Sequence, residues 1–417
     1  MSILLRQFKS AWPVWVCVSF FALLPFGRMP ELPLLIFAFS VPFLFRSARY
    51  RKRAKRVSLL LIPLFLCFWL PMVFSSFDSF LPETSSFKSF AALRYLAAAI
   101  GVATLLNKAS ARWQVMRWSS FILVFWAIDG FVQLMFGADL FGISMHPERL
   151  NALFVRQYQF YGPTLAMLSP FLLEYARRRW APWAWVLSFS VILGAVMIAG
   201  MRSGWLIMGV VMAVYLLQMF SRENRELRLA TMSIPIVAAG VLIAGYLASP
   251  LLQQRIEQSL TILDGTNAAV DFASSERVPI FNTAMTMYRT HRVYGVGVRA
   301  FDKAYLVYAE PGDVLVANHK GIRGEVHAHN VVLEVMADTG TIGLLALLFS
   351  ALLMFRYWQA MPPAQRLEAF PFVLSLVLIL FPVNSHFAIF GTYLSSLIWV
   401  LLGLWAATYP DESRGDF

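Results

Sequence analysis

Residues 325–357 read EVHAHNVVLEVMADTGTIGLLALLFSALLMFRY. Two histidines one residue apart, His327 and His329, lead into a stretch carrying Glu334 and Asp338; a Gly-x-x-Gly at Gly340 and Gly343 then opens a run too apolar to face water. A membrane span needs about 20 mainly apolar residues. Twelve candidate runs of this kind occur, within 11–27, 31–46, 57–76, 90–106, 118–136, 160–176, 181–200, 204–220, 229–248, 340–357, 368–387 and 389–409. Composition agrees, since 59% of the 417 residues are apolar and only 14% charged, against about 45–50% and about 25% in soluble domains. An ordinary water-soluble domain is excluded, and the expectation is an all-α polytopic membrane protein with about twelve transmembrane helices.

Cytoplasmic loops retain Lys and Arg. With the N-terminus inside, the inner loops include SARYRKRAKR, NKASARWQVMR, RRRW, SRENRELR and FRYWQAMPPAQR, all of them basic. The alternation runs unbroken through all twelve runs and leaves both termini in the cytoplasm. It places 21 of the 35 basic residues inside. The other fourteen, among them Arg149, Arg156, Arg202, Arg255, Arg277 and Arg299, fall on the outer side. An anionic partner there would explain the excess, although long loops also translocate basic residues without one. Cys17 and Cys67 both sit inside apolar runs, so neither a disulfide framework nor a thiolate metal site is implied.

The expected organisation is nine spans over 1–248, an outer and mostly helical loop domain over 249–329, and three spans over 330–417. Within the loop domain a helix is expected at 250–263. An amphipathic helix follows at 275–291, with Val278, Phe281, Met285 and Tyr288 on one face. A second outer loop, 137–159, contains Arg149 and Arg156, which would share a face if that loop is helical.

A helix beginning near Asn330 sets His329 at its N-terminus, where the positive end of the macrodipole disfavours imidazolium. A ring kept neutral can accept a proton, as a general base must. The same position also suits a histidine that caps the helix or lies at the lipid headgroups. His327 and His329 could be half of a metal site, but no Cys, HExxH or Asp spacing supplies the remaining ligands. Arg202 lies in the short turn IAGMRSGW and Arg277 opens the amphipathic helix. Both places suit a phosphate held by a planar guanidinium fork; a snorkelling Arg and a solvated face are the plain alternatives. Asp129, in FWAIDGF, is an ionisable residue within a span and costly unless paired. An outer arginine is its expected partner.

These residues carry a resemblance. The turn Arg202-Ser203-Gly204, Arg277, the segment Gly295-Val296-Gly297 with Phe301, and then His329, Asn330, Leu333, Glu334, Gly340 and Gly343 resemble the bacterial O-antigen ligase and polymerase superfamily. Met201 stands where that family usually has Ser, and Val293 where Pro is common; neither change removes a charge. The resemblance implies a GT-C-like glycosyltransferase of the bacterial inner membrane with a periplasmic active site. It implies metal-independent, inverting transfer of a glycan from undecaprenyl pyrophosphate to a sugar hydroxyl, in the ligase case on the lipid A-core oligosaccharide, completing lipopolysaccharide. On this reading His329 is the base and Arg202 and Arg277 hold the pyrophosphate. Arg149 and Arg156 contact carrier or glycan, and His327, Asn330, Glu334 and Asp129 support the site. The partners are then the lipid-linked donor, the core acceptor and the bilayer, with no cofactor and no nucleic acid. A polysaccharide polymerase uses much the same motifs. A membrane anion transporter would instead require ionisable residues deep in several spans.

Overall fold

The computed structural model describes residues 2–147, 149–155, 158–219, 225–266, 277–313, 315–316, 326–382 and 387–409. Among these, regular structure is helical, and two isolated bridges in the loop after the fifth helix are the sole β features. The longer helices are α1 Ser2–Ala22, α2 Glu31–Arg46, α3 Arg51–Ser75, α4 Pro82–Leu105, α5 Ala109–Phe136, α6 Tyr161–Arg179, α7 Pro182–Ile198 and α8 Arg202–Met219. They continue as α9 Arg225–Met232, α10 Ile234–Ala248, α11 Pro250–Leu260, α12 Arg277–Thr290, α13 Phe301–Tyr308, α14 Val331–Ala360, α15 Pro363–Leu380 and α16 Thr392–Ala406. Each of the twelve apolar runs overlaps a helix, run 229–248 being shared by α9 and α10 and run 368–387 ending beyond α15. Among the described residues, six helical stretches are long and apolar enough to cross a membrane, and four shorter helices are also apolar. The chain is a multi-pass membrane protein.

Contacts divide the chain into two compact units that interleave along the sequence. The first comprises Met1–Pro33, Lys108–Gln258 and Phe370–Ile379; the second comprises Leu34–Asn107, Ser259–Ala369 and Leu380–Phe417. Both are therefore built from segments far apart in the chain: the expected loop domain is divided, its residues up to Gln258 falling in the first unit and those from Ser259 in the second, with helices from both ends of the sequence.

In the first unit α6 is the central element. All residues from Tyr161 to Ala176 are buried, and the helix packs on α5, α7 and α8. It carries one buried carboxylate, Glu174, which Arg177 and Arg178 clamp at 2.5 and 3.0 Å while the Tyr215 hydroxyl donates to it at 3.1 Å. Charge-assisted bonds of this kind make a buried carboxylate tolerable.

In the second unit α16 takes the central place, buried from Tyr393 to Ala406 and packed on α4 and α3. Helices end with carbonyls that have no intrahelical partner. Arg53 of α3 collects three of them, donating to Ala103 O at 3.1 Å, Ala407 O at 2.8 Å and Tyr409 O at 3.0 Å. A buried cation is thus placed at the negative ends of α4 and α16.

The insertion forms a small core of its own over the start of α14. Ile280, Ala284 and Met287 of α12 pack with Val296, Phe301, Tyr305, Ala328 and Ala337. The buried stripe of α12 differs from the expected one: Ile280, Thr283, Ala284 and Met287 face inward, while Val278, Phe281, Met285 and Tyr288 are only half-buried. Two small residues, Thr283 and Ala284, allow close approach to α14, so packing on that helix overrides the larger side chains.

Candidate active site

In the second unit the site begins at Ala328, which is fully buried in the insertion core. Its two neighbours, His327 and His329, are half-buried, and their rings lie against each other with centroids 3.9 Å apart. Asn330 is the N-cap of α14: its Oδ1 accepts from the N–H groups of Val332 and Leu333 at 3.0 and 3.1 Å. Its Nδ2 donates to the carbonyl of Pro382 at 2.8 Å. The helix start expected near Asn330 is therefore observed. His329, however, stands before the cap with φ +49° and so lies outside the helix. Such a backbone is uncommon for a residue with a side chain and costs on the order of 1 kcal/mol or more.

The fixed start of α14 continues into two buried carboxylates. Glu334 Oε2 accepts from the backbone N–H of Ile389 at 3.0 Å, which ties the first turn of α14 to the loop before α16. Asp338, one turn on, is equally buried. Arg299 bears on both charges. Neither Asp338 nor Arg299 was singled out as a site residue from sequence; the signal lay in the i, i+4 spacing of Glu334 and Asp338 and in Arg299 following Gly-Val-Gly-Val.

Between Asp338 and Thr341 the helix breaks. Gly340 has φ +64° and ψ −156°, a region occupied essentially by glycine alone. A break of this kind orphans the carbonyls of residues 337 and 338 and the N–H groups of 341 and 342. The segment 292–297 supplies all four partners. Val296 N donates to Ala337 O at 2.8 Å and Gly297 N to Asp338 O at 3.0 Å, while Arg292 O accepts from Thr341 N at 2.7 Å and Val293 O from Ile342 N at 3.4 Å. Polar backbone away from water must be satisfied in this way. The two glycine motifs of the sequence are thus the two halves of one backbone splice.

Asn330→Ala is expected to lose the cap, about 1 kcal/mol of helix stability, together with the tether to Pro382. Asn330→Asp should keep the cap and lose only the tether. Thermal melting of the two variants side by side checks this, and equal losses would show that the tether, not the cap, holds the helix start.

On both sides of the break, α14 borders an apolar groove within the same unit, with Leu64, Cys67, Val335, Thr339, Gly343 and Trp399 among its walls. Arg277 is the first described residue of α12, and α12 packs on α14.

In the first unit the sequence-predicted residues gather around the α7 to α8 turn. Arg202 is the first residue of α8, so the turn itself is only Ala199 to Met201. The guanidinium of Arg149 donates to the sulfur of Met201. Asp129 is fully buried, and its described hydrogen-bond partner is a backbone amide, not an arginine: Oδ1 accepts from Leu140 N at 3.0 Å. Gln133, one turn on, accepts from Asn151 N and Ala152 N at 3.1 and 2.8 Å. These two side chains of α5 hold the 137–155 loop on either side of Arg149. That loop is irregular among its described residues, so the shared helical face expected for Arg149 and Arg156 does not form at Arg149; Arg156 lies outside the described residues.

Residues 187–348, which include Arg202, Arg277 and the whole His327 to Gly343 stretch, match the family model described as O-antigen ligase. That match covers less than half of the 417 residues. A search of the curated proteins finds no match. The O-antigen ligase match covers both halves of the backbone splice and the α7 to α8 turn, while Asp129 and Arg149 lie before it.

Proposed function

We propose that this protein is a GT-C-like membrane glycosyltransferase of the O-antigen ligase type, with about twelve spans and both termini in the cytoplasm. It sits in the bacterial inner membrane and transfers a glycan from undecaprenyl pyrophosphate to a sugar hydroxyl of the lipid A-core oligosaccharide at the periplasmic face, with inversion. The observation that carries this reading is the held histidine: His329 lies within the O-antigen ligase match, between a buried Ala328 and the capping Asn330.

The chemistry is one in-line displacement. The bond from the anomeric carbon to the diphosphate oxygen breaks, and its electron pair leaves with the diphosphate. The acceptor oxygen bonds to the anomeric carbon, and the hydroxyl proton passes to the His329 ring. Arg202 and Arg277 hold the pyrophosphate, and their charge meets the negative charge that grows on the leaving group. Arg149 and Arg156 contact carrier or glycan. His327 limits how the His329 ring can turn, Asn330 and Glu334 fix the helix start beneath it, and Asp129 fixes the loop that carries Arg149. The groove beside α14 suits an apolar carrier tail.

Purified protein given labelled lipid-linked glycan and lipid A-core is expected to move label to the core. Elongation of the glycan without transfer to core would assign the chain to the polymerase branch instead. Replacing Arg202 or Arg277 with alanine should weaken donor binding by about tenfold or more. Unchanged affinity for the pyrophosphate carrier in either variant would remove that residue from the binding set.

A further inference from the structure

The segment that splices α14 has a second partner. Val296 gives its N–H to Ala337 and its carbonyl to the turn between α3 and α4, where Phe80 N donates to it at 3.0 Å. Beside this bond the Ser85 hydroxyl donates to Val298 O at 2.9 Å, and Ser79 fills the place that a β-carbon at Gly297 would take. The segment is thus held between that turn and the break in α14, all within the second unit.

One side chain adds a titratable link. His291 directly follows α12, and its ring stands between Asp78 of the turn and Tyr308 of α13. Nδ1 lies 3.4 Å from Asp78 Oδ2, and Nε2 lies 2.8 Å from the Tyr308 hydroxyl. Phe80 packs edge-on to both rings, with centroids 5.6 Å from His291 and 5.8 Å from Tyr308. A carboxylate only accepts, so Nδ1 carries a proton and donates to Asp78; in the neutral ring Nε2 then accepts from the Tyr308 O–H. A second proton makes Nε2 a donor, and the Tyr308 hydroxyl can rotate to accept, so neither contact is lost. What changes is charge, because an imidazolium then faces a carboxylate. Among the described residues, Asp78 and Tyr308 are the titratable groups bonded to the ring. Arg289 and Arg292 flank it on its own segment, and Arg292 Nε donates to Arg289 O.

We propose that His291 is a pH-sensitive pin that latches the turn between α3 and α4 to the insertion, more tightly when its ring is charged. The inference stands apart from the glycosyltransferase reading, since it concerns only how two parts of one unit are held. An imidazole is the side chain that changes charge between about pH 5 and 8, and over the upper part of that range a carboxylate stays ionised. The side chain of Asp78 is 64% exposed, so the gain is that of a surface ion pair. The turn ends α3, whose Cys67, Phe68 and Pro71 wall the groove beside α14. Loosening the latch therefore frees the end of that wall.

Hydrogen exchange of the full chain in detergent tests this, with protection of the Phe80 amide compared at pH 6 and pH 8 after correction for intrinsic exchange rate. Wild-type protection is expected to be about two- to fivefold higher at pH 6, the range of an exposed ion pair. The amides of Val296 and Gly297, bonded to α14, should be protected equally at both. Asp78→Asn keeps an acceptor for Nδ1 without the charge and should remove the difference at Phe80; His291→Gln should do the same. Equal protection of Phe80 at the two pH values in the wild-type protein overturns the latch. So does a difference that survives in Asp78→Asn, and so does an equal change at Val296 and Gly297, which would mean that the whole insertion loosens. If His291→Gln fails to fold, Asp78→Asn, at an exposed position, decides alone.

Discussion

His329→Ala is expected to lower glycosyl transfer by about 10²- to 10⁴-fold, the range supplied by a positioned general base, with affinity for the lipid-linked donor kept. The donor is held through its pyrophosphate by arginines, so removing an imidazole should leave binding alone and act on the rate at saturating donor. His327→Ala loosens the ring packing at 3.9 Å and should cost far less, about tenfold at most if it only positions the base. A second comparison isolates the backbone. At φ +49° alanine retains the strained geometry, whereas glycine adopts it without steric cost and pays in unfolded-state entropy. His329→Gly should therefore melt at least as high as His329→Ala, by up to about 1 kcal/mol in stability, and be equally inactive. Initial rates of label transfer and thermal melting of the three variants decide it. Full transfer activity in His329→Ala would end the base assignment.

What could be read from sequence differs between the membrane helices and the site. The apolar runs are legible because a helix in lipid is apolar along its length, and each run overlaps a helix. The start of α14 is legible because Asn330 is a capping residue directly before an apolar run. Asp129 misled for a physical reason. The costs of burying a carboxylate point to a counter-charge, yet the described donor is the N–H of Leu140, and a backbone donor leaves no trace in residue type. The face of α12 was rotated because Thr283 and Ala284 let two helices approach closely, which side-chain hydrophobicity does not report. The glycine motifs at 295–297 and 340–343 were visible separately, but that each satisfies the other's backbone is a tertiary fact.

That splice sets the second large effect. Gly340→Val is expected to destabilise the protein by roughly 3–5 kcal/mol and to abolish transfer along with it, through two separate causes. A β-branched residue cannot hold φ +64° and ψ −156°, and leaving that region re-forms a continuous helix or bends α14 elsewhere, at a cost of about 1–3 kcal/mol. The new β-carbon would also run into the carbonyl of Val293, a backbone atom that cannot turn aside, so segment 292–297 must move off α14. Its departure exposes or orphans the carbonyls of Ala337 and Asp338 and the N–H groups of Thr341 and Ile342, each pairing contributing about 0.5–1.5 kcal/mol net. The expected signature separates this variant from His329→Ala: melting falls sharply, and backbone amides at 296, 297 and 341 exchange with deuterium early, whereas His329→Ala leaves both unchanged. Normal protection at those amides in Gly340→Val would mean that the break in α14 is imposed by neighbouring helices and not by the paired glycine motifs.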